Sequence, residues 1–292
     1  MGKRGVVGKD LVGKIIQMLI QGNNTVEIIN DLNQHVNTES SNWKIVKFAD
    51  KLKDIVCLLI GCTREQLESE EFKNKELGEE WDLYNLKASN GEYFAIHQTK
   101  EKLEDYRVDG KTVNYDLVKM TPRHVLQKIG TELFRKQFHE QTWVNATMVD
   151  YKYKANFADG CPIDTNECND ETECLAYGIK SCKLPNWIIT DTRFLNECQA
   201  VKEKGGILIR VNRPPKCPVC GEHDVVLKMG GKVCWGKCGG KIVGPTYTES
   251  ELHESETALD DFEGFDYEIE NVGGLRDLIK DIKNILINEG II

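Results

Sequence analysis

The sequence predicts an α/β fold built on a parallel sheet, and three observations carry that expectation. Short apolar segments of the type buried on both faces, Trp187-Ile188-Ile189-Thr190 and Ile207 to Val211, alternate with amphipathic helices. A glycine-rich stretch, Gly2 to Asp10, runs directly into the first of those helices. Eight of the 11 cysteines fall in two segments instead of being spread through the chain. The 292 residues are enough for one large domain or two modest ones. The formal net charge of −9 argues against a general nucleic-acid coat, which needs a positive surface to neutralise phosphates. No apolar run has the length of a membrane span, and no h-region with a small-residue cleavage site opens the chain. The expectation is a cytoplasmic protein with reduced thiols.

Taken in order, Lys9 to Gln21 puts Leu11, Val12, Ile15, Ile16, Leu19 and Ile20 on one helical face. Thr25 to Leu32 reads as a short helix capped by Asn24 or Thr25. Trp43 to Phe48 alternates like a strand, and Ala49 to Ile60 is a helix that Gly61 ends. Residues 61–120 are polar, with Asn90-Gly91 as a hairpin signal between strands. Thr121 caps a helix with Pro122 at its first turn, running to about His139, and a further helix covers Thr142 to Tyr153. Leu195 to Lys204 is a helix closed by Gly205-Gly206. A strand at Tyr267 to Glu270 leads into a last helix. That helix gathers Leu275, Leu278, Ile279, Ile282, Ile285 and Leu286 on one face.

Cys57, Cys62 and Cys198 sit in or beside apolar helical segments and read as small buried hydrophobes. Cys217, Cys220, Cys234 and Cys238 have the spacing C-x2-C-x13-C-x3-C. A C-x2-C knuckle lets one tight turn offer two thiolates to one ion, and two knuckles close a tetrahedral Zn²⁺ site. A ribbon of that size has little core of its own, so a structural Zn²⁺ would supply its folding energy. Cys161, Cys168, Cys174 and Cys182 match no knuckle and lie in an acidic segment; they form either a second metal site or a solvated loop.

Residues 2–10 also read as a phosphate cradle, with backbone N–H groups pointing inward, a positive helix N-terminus and a lysine reaching the anion. Against the pattern G-x4-G-K-[ST], Gly2 to Gly8 is one residue longer and Asp10 replaces the hydroxyl residue. A basic N-terminus with no ligand is the alternative. A phosphate loop follows the C-terminal end of a buried strand. The sequence offers no such strand ahead of the loop, so the expectation is a strand upstream of Met1 or a truncated product. Asp191 ends a buried-type strand, where α/β sheets open their ligand crevice, and Arg193 follows two residues on.

Several segments together resemble one family. They are GKRGVVGKD (2–10), FADKLK (48–53), EFKNKELGEEW (71–81), TPRHVLQKIGTELFR (121–135), TWVNA (142–146), WIITDTRFLNE (187–197), GGILIRVNR (205–213), HESETALDD (253–261) and YEIENVGG (267–274). In this order they are similar to the bacteriophage deoxynucleoside monophosphate kinases, a branch of the P-loop nucleoside monophosphate kinases. The resemblance implies a three-layer P-loop kinase core at 1–211 and 246–292. It also implies an acceptor-side insert at 60–120, a Cys-rich acidic insert at 155–184, and a zinc ribbon at 212–245 in the lid position. The implied reaction moves the γ-phosphoryl of ATP onto a deoxynucleoside monophosphate, with Mg²⁺, in a host cytoplasm. The oligomeric state stays open, a homodimer included.

By the same resemblance, Gly5, Val6, Val7, Gly8, Lys9 and Asp10 would hold the ATP phosphates and the Mg²⁺ shell. Lys3 would lie near the phosphates. Lys9, Asp191 and Arg193 would be catalytic, and the last two would also touch the acceptor. Arg123, Gln127, Gly130, Arg135, Trp143 and Asn145 would wall the acceptor site. Trp143 either stacks on a base or is a core tryptophan. Glu197 either reaches the sugar or base or is a surface helix charge. Arg210 and Arg213 would be lid arginines, with Lys216, Lys228, Lys232, Lys237 and Lys241 on the ribbon, and the ribbon is either a lid or surface decoration. The HESE turn at 253–256 is a cap or hinge as readily as a catalytic group. Rival functions are an inactive nucleotide-binding relative, a zinc-ribbon nucleic-acid-binding protein on a kinase scaffold, and a kinase of another small phosphate acceptor.

Overall fold

The computed structural model describes residues 8–34, 42–87, 93–97, 107–108, 111–112, 114–152, 184–212, 217, 219–220, 225–228, 231–234, 237–244, 253–271 and 273–292. Two compact units emerge, one from residues 1–48 and 144–292 and the other from 49–143.

The first unit is a mixed helix and strand structure with short parallel sheets. Helix α1 (Lys9–Ile20) and helix α2 (Thr25–Gln34) precede strand β1 (Trp43–Val46). Asn24 caps α2: its Oδ1 accepts from the N–H groups of Val26 and Glu27, and its own N–H donates to Glu27. Strand β1 pairs in parallel with β7 (Asn186–Ile189), placing Ile45 beside Ile188. After helix α8 (Leu195–Glu203), β8 (Ile209–Asn212) pairs in parallel with β12 (Tyr267–Glu270). Helix α10 (Leu275–Asn288) closes the chain, its first turn tied by Gly274 N–H donating to Asp277.

One core serves both ladders. Val12, Ile15, Ile16, Met18 and Leu19 of α1 pack with Leu278, Ile279, Ile282, Ile285 and Leu286 of α10, and with Ile188 of β7 and Ile269 of β12. Ile15, Ile279 and Ile282 are wholly buried. Glycine lets α1 lie close to the strands. A Cβ on Gly13 would stand 2.5 Å from Thr190 Cγ2 and 3.5 Å from Ile188 Cγ2.

The second unit holds α3 (Asp50–Ile60), α4 (Arg64–Glu68), α5 (Glu70–Lys73) and the antiparallel sheet β3-β2-β6 (Tyr93–His97, Leu83–Lys87, Asn114–Val118). A two-stranded ladder joins β4 (Arg107–Val108) to β5 (Lys111–Thr112). Gly61 ends α3 at φ +67°, the left-handed region that glycine enters without a Cβ clash. The unit is wider than the 60–120 insert read from the sequence. Leu52, Val56, Leu67, Met120, Val125 and Trp143 share one core, so α3 belongs to it. The pairing of β2 with β3 fits the Asn90-Gly91 hairpin signal, although residues 90 and 91 lie outside the described residues.

Two helices differ from expectation. The helix from 121 to 139 is α-helical only as α6 (Pro122–Gln127) and continues as a π-helix over Lys128–Phe138. The cap at Thr121 and the proline after it mark where a helix starts, but they do not decide whether later N–H groups reach back four residues or five. The helix expected over 142–153 is α7 (Thr142–Met148). Among the described residues no helix is long and apolar enough to cross a membrane.

Removing the wholly buried Ile282 side chain by Ile282→Ala costs about 2–5 kcal/mol and lowers the thermal midpoint. Gly13→Val overpacks the helix–strand contact and costs about 1–3 kcal/mol. Ile287→Ala on the exposed side of α10 leaves the midpoint nearly unchanged; thermal unfolding followed by circular dichroism checks all three.

Candidate functional site

The cysteine spacing folds into one cluster. The strands β9 (Val225–Lys228), β10 (Gly231–Cys234) and β11 (Lys241–Gly244) form an antiparallel sheet in the order β11-β10-β9. They bring together Cys217, Cys220, Cys234 and Cys238, whose sulfurs all lie within 4.8 Å of one another. Cys217 and Cys238 sulfurs are 3.6 Å apart, as are those of Cys220 and Cys234. Four sulfurs around a tetrahedral zinc with Zn–S of about 2.3 Å stand ~3.8 Å from each other, so the donor set fits a structural metal such as zinc.

The thiols respond to this crowding in opposite directions. Burial pushes the Cys217 thiol up, but N–H groups of Cys220 and Val219, with the neighbouring thiols, outweigh it and bring the pKa to about 6. Burial and its three cysteine neighbours push Cys238 to about 12. Four thiolates this close therefore need a cation to coexist. Cys161, Cys168, Cys174 and Cys182 lie outside the described residues.

A second constellation forms where β7 ends. Helix α1 starts there, with Gly8 as its N-cap, and exposed Lys9 reaches the carbonyl of Thr192 at 3.5 Å. The Asp10 carboxylate accepts from Thr190 Oγ1 at 2.6 Å and meets the Lys47 ammonium at 2.9 and 3.0 Å, one contact to each oxygen. Asp191 accepts from the Phe48 N–H at 2.8 Å, which ties the end of β7 to the end of β1. Arg193 donates through Nη1 to the carbonyl of Ser255 at 3.2 Å. The result is alternating charge at the C-terminal ends of parallel strands, where α/β sheets present ligands. The positive N-terminus of α1 adds to it and favours an anion.

Glu197 is neither a surface charge nor an outward-reaching group. It is 3% exposed, and its carboxylate accepts from the N–H groups of Arg193 and Phe194, capping α8. It holds the Arg193 backbone in place. His253 accepts from the Ser255 N–H, so the HESE segment caps α9 (Glu254–Thr257). Arg210 donates to the Asp260 carbonyl at 3.4 Å, with its guanidinium 5.2 Å from the centre of the Phe265 ring. Asn145 is exposed on α7. Lys3, Gly5, Val6, Val7, Arg213 and Lys216 lie outside the described residues.

The other predicted residues belong to the second unit. Arg123 binds Glu70 at 2.5 Å and Asn74 at 3.0 Å. Gln127 closes α6, and Gly130 and Arg135 are buried in the π-helix. Of its two possible roles, Trp143 takes the core one: it is 4% exposed, donates from Nε1 to the Gly130 carbonyl at 2.8 Å and packs on Phe134.

Lys47 and Thr190 were missed in the sequence. Lys47 directly follows a strand and Thr190 ends another, and strand ends in an α/β pattern are where such groups gather. No protein-family model matches the chain, and no curated protein matches it either.

The purified protein is expected to carry one zinc per chain by metal analysis. Cys234→Ser, at a wholly buried ligand position, abolishes that stoichiometry. Protons compete for the thiolates, so zinc is retained at neutral pH and released on acidification; a chromophoric zinc indicator follows the release.

Proposed function

We propose that the chain is an ATP- and Mg²⁺-dependent kinase that phosphorylates deoxynucleoside monophosphates to diphosphates. The observation that carries this reading is that Lys9 touches the Thr192 carbonyl and Asp10 accepts from Thr190, which brings the N-terminus of α1 to the end of β7, the segment that carries Asp191 and Arg193. The ordered resemblance over nearly the whole chain supports it. The residues fit what the chemistry asks. The acceptor phosphate is already anionic, so the site has to position and neutralise more than it has to take a proton.

Lys9 offers an exposed ammonium at a positive helix end and holds phosphate oxygens there. Asp10 lacks the hydroxyl of the usual phosphate loop, but Thr190 supplies one at 2.6 Å. The two together offer hard oxygen donors of the type Mg²⁺ takes. When bound, Mg²⁺ neutralises charge on the transferring phosphoryl group. Lys47 keeps Asp10 oriented, and Arg193 steadies the acceptor phosphate with a guanidinium that the Ser255 carbonyl holds, on a backbone that the Glu197 cap fixes. The metal-bearing ribbon stands as a rigid extension of the lid, closing water out during transfer.

The test measures ADP from protein, ATP, Mg²⁺ and each of the four deoxynucleoside monophosphates. Turnover with at least one acceptor is expected, and Lys9→Ala lowers it by about 10²–10³-fold with zinc content unchanged. ATP binding without turnover would leave a nucleotide-binding relative. Exposed Lys237 and Lys241 beside the cysteine cluster favour a second reading, a zinc-ribbon nucleic-acid binder. No turnover together with tight, salt-sensitive DNA binding would establish that instead.

A further inference from the structure

Cys57, Cys62 and Cys198 read alike in the sequence, as small buried hydrophobes, but the structure separates them. Cys198 is 1% exposed. Cys57 and Cys62 are half-buried at the edge of the second unit's core, and Leu58 beside them is 85% exposed. Neither belongs to the metal-type cluster of the ribbon.

The end of α3 brings these two thiols together. Gly61 turns the chain into the left-handed region, and the N–H groups of Gly61 and Cys62 both donate to the Cys57 carbonyl. In a helix stop of this kind, the residue after the glycine folds back over the residue whose carbonyl it binds. Here both of those residues are cysteines. Cys62 Sγ donates to Cys57 Sγ at 3.8 Å. The sulfurs have to close by under about 2 Å to reach a bonded separation of ~2.05 Å.

The joint is held on its far side as well. Thr63 and Gln66 form the capping box that starts α4, and Arg64 bridges Asp50 and Asp54 of α3. The backbone between the cysteines is therefore in position before any bond forms. Two thiols in contact across a fixed turn have a high effective concentration for each other.

We propose that Cys57 and Cys62 are a redox-active pair, a modification site at which low-molecular-weight disulfides oxidise the chain to an intramolecular Cys57–Cys62 disulfide. Burial and the hydrogen bond to Cys57 push the Cys62 thiol up to about 11, so Cys62 keeps its proton and Cys57 attacks first. The Cys57 thiolate bonds to one sulfur of the reagent, and the other sulfur leaves as a thiolate. Cys62 then gives up its proton and attacks Cys57 Sγ, which breaks the mixed disulfide and releases the second reagent sulfur. Two protein thiols are oxidised, one reagent disulfide is reduced, and the two protons end on the two released thiols. The new bond locks the Gly61 turn between α3 and α4. In a reducing compartment such a bond is transient, which suits sensing more than structure. The proposal holds whatever the site at the end of β7 binds.

One tryptic peptide reads the outcome, because cleavage after Lys53 and Arg64 releases residues 54–64 with both cysteines. The zinc-loaded full chain is exposed to glutathione disulfide, quenched in acid, denatured, labelled with N-ethylmaleimide and digested. Peptide 54–64 is expected to pass from two labels to none, with zinc content unchanged. Closure should run about tenfold or more faster than in the urea-unfolded chain. Cys62→Ser is expected to trap a glutathione adduct on Cys57, and amide exchange at Gly61 and Cys62 should slow severalfold in the oxidised protein. The proposal is overturned by a peptide that keeps both labels, stops at the mixed disulfide or pairs with another cysteine. Closure no faster than in the unfolded chain, closure only with loss of zinc, or no adduct on Cys57 in Cys62→Ser overturns it equally.

Discussion

Two apolar helix faces, on α1 and α10, must be buried against two strand ladders that, among the described residues, do not pair with each other. Everything else in the first unit follows from that packing. Neither two-stranded ladder has enough partners to be stable alone. Ile15, Ile279 and Ile282 lose all contact with water only because both ladders back onto the same helices. Burying one such side chain is worth about 1.5–3 kcal/mol, more than an exposed ion pair at about 0–1 kcal/mol. The core therefore holds the ladders in place, and the polar contacts at their ends are positioned by it.

Gly13 links this packing to chemistry. With no Cβ it lets α1 approach Thr190 and Ile188, and the approach brings the helix N-terminus to the strand ends. Lys9 then reaches Thr192, and Asp10 falls between Thr190 and Lys47. The cysteine cluster obeys a different rule. Its geometry comes from turns and a three-stranded antiparallel sheet, and its like-charged thiolates require a cation to sit together.

Much of this was legible from periodicity and spacing. The helices at 9–20 and 275–288 lie within a residue or two of where their apolar faces predict, since a 3.6-residue repeat is a property of the local chain. The cysteine cluster was legible for the same reason: knuckle spacing encodes the turn that pairs two ligands. The π-helix at 128–138 was not, because the Thr121 cap and Pro122 mark a helix start and do not decide whether later N–H groups reach back four residues or five. Glu197 looked like a surface charge or a ligand group and is a buried cap, which depends on where the Arg193 and Phe194 amides point.

Local chain properties thus reach as far as the α/β class, the parallel character of the strands, the metal-type cysteine set and the polar residues at the end of 187–190. They do not reach pairings across long sequence separations. That Lys47 meets Asp10 and that Phe48 ties to Asp191 depend on groups dozens to more than a hundred residues apart. Such contacts form only once the shared core has brought the ladders together. No periodicity or spacing rule encodes them, because their energy comes from burial of the whole unit and not from any one segment.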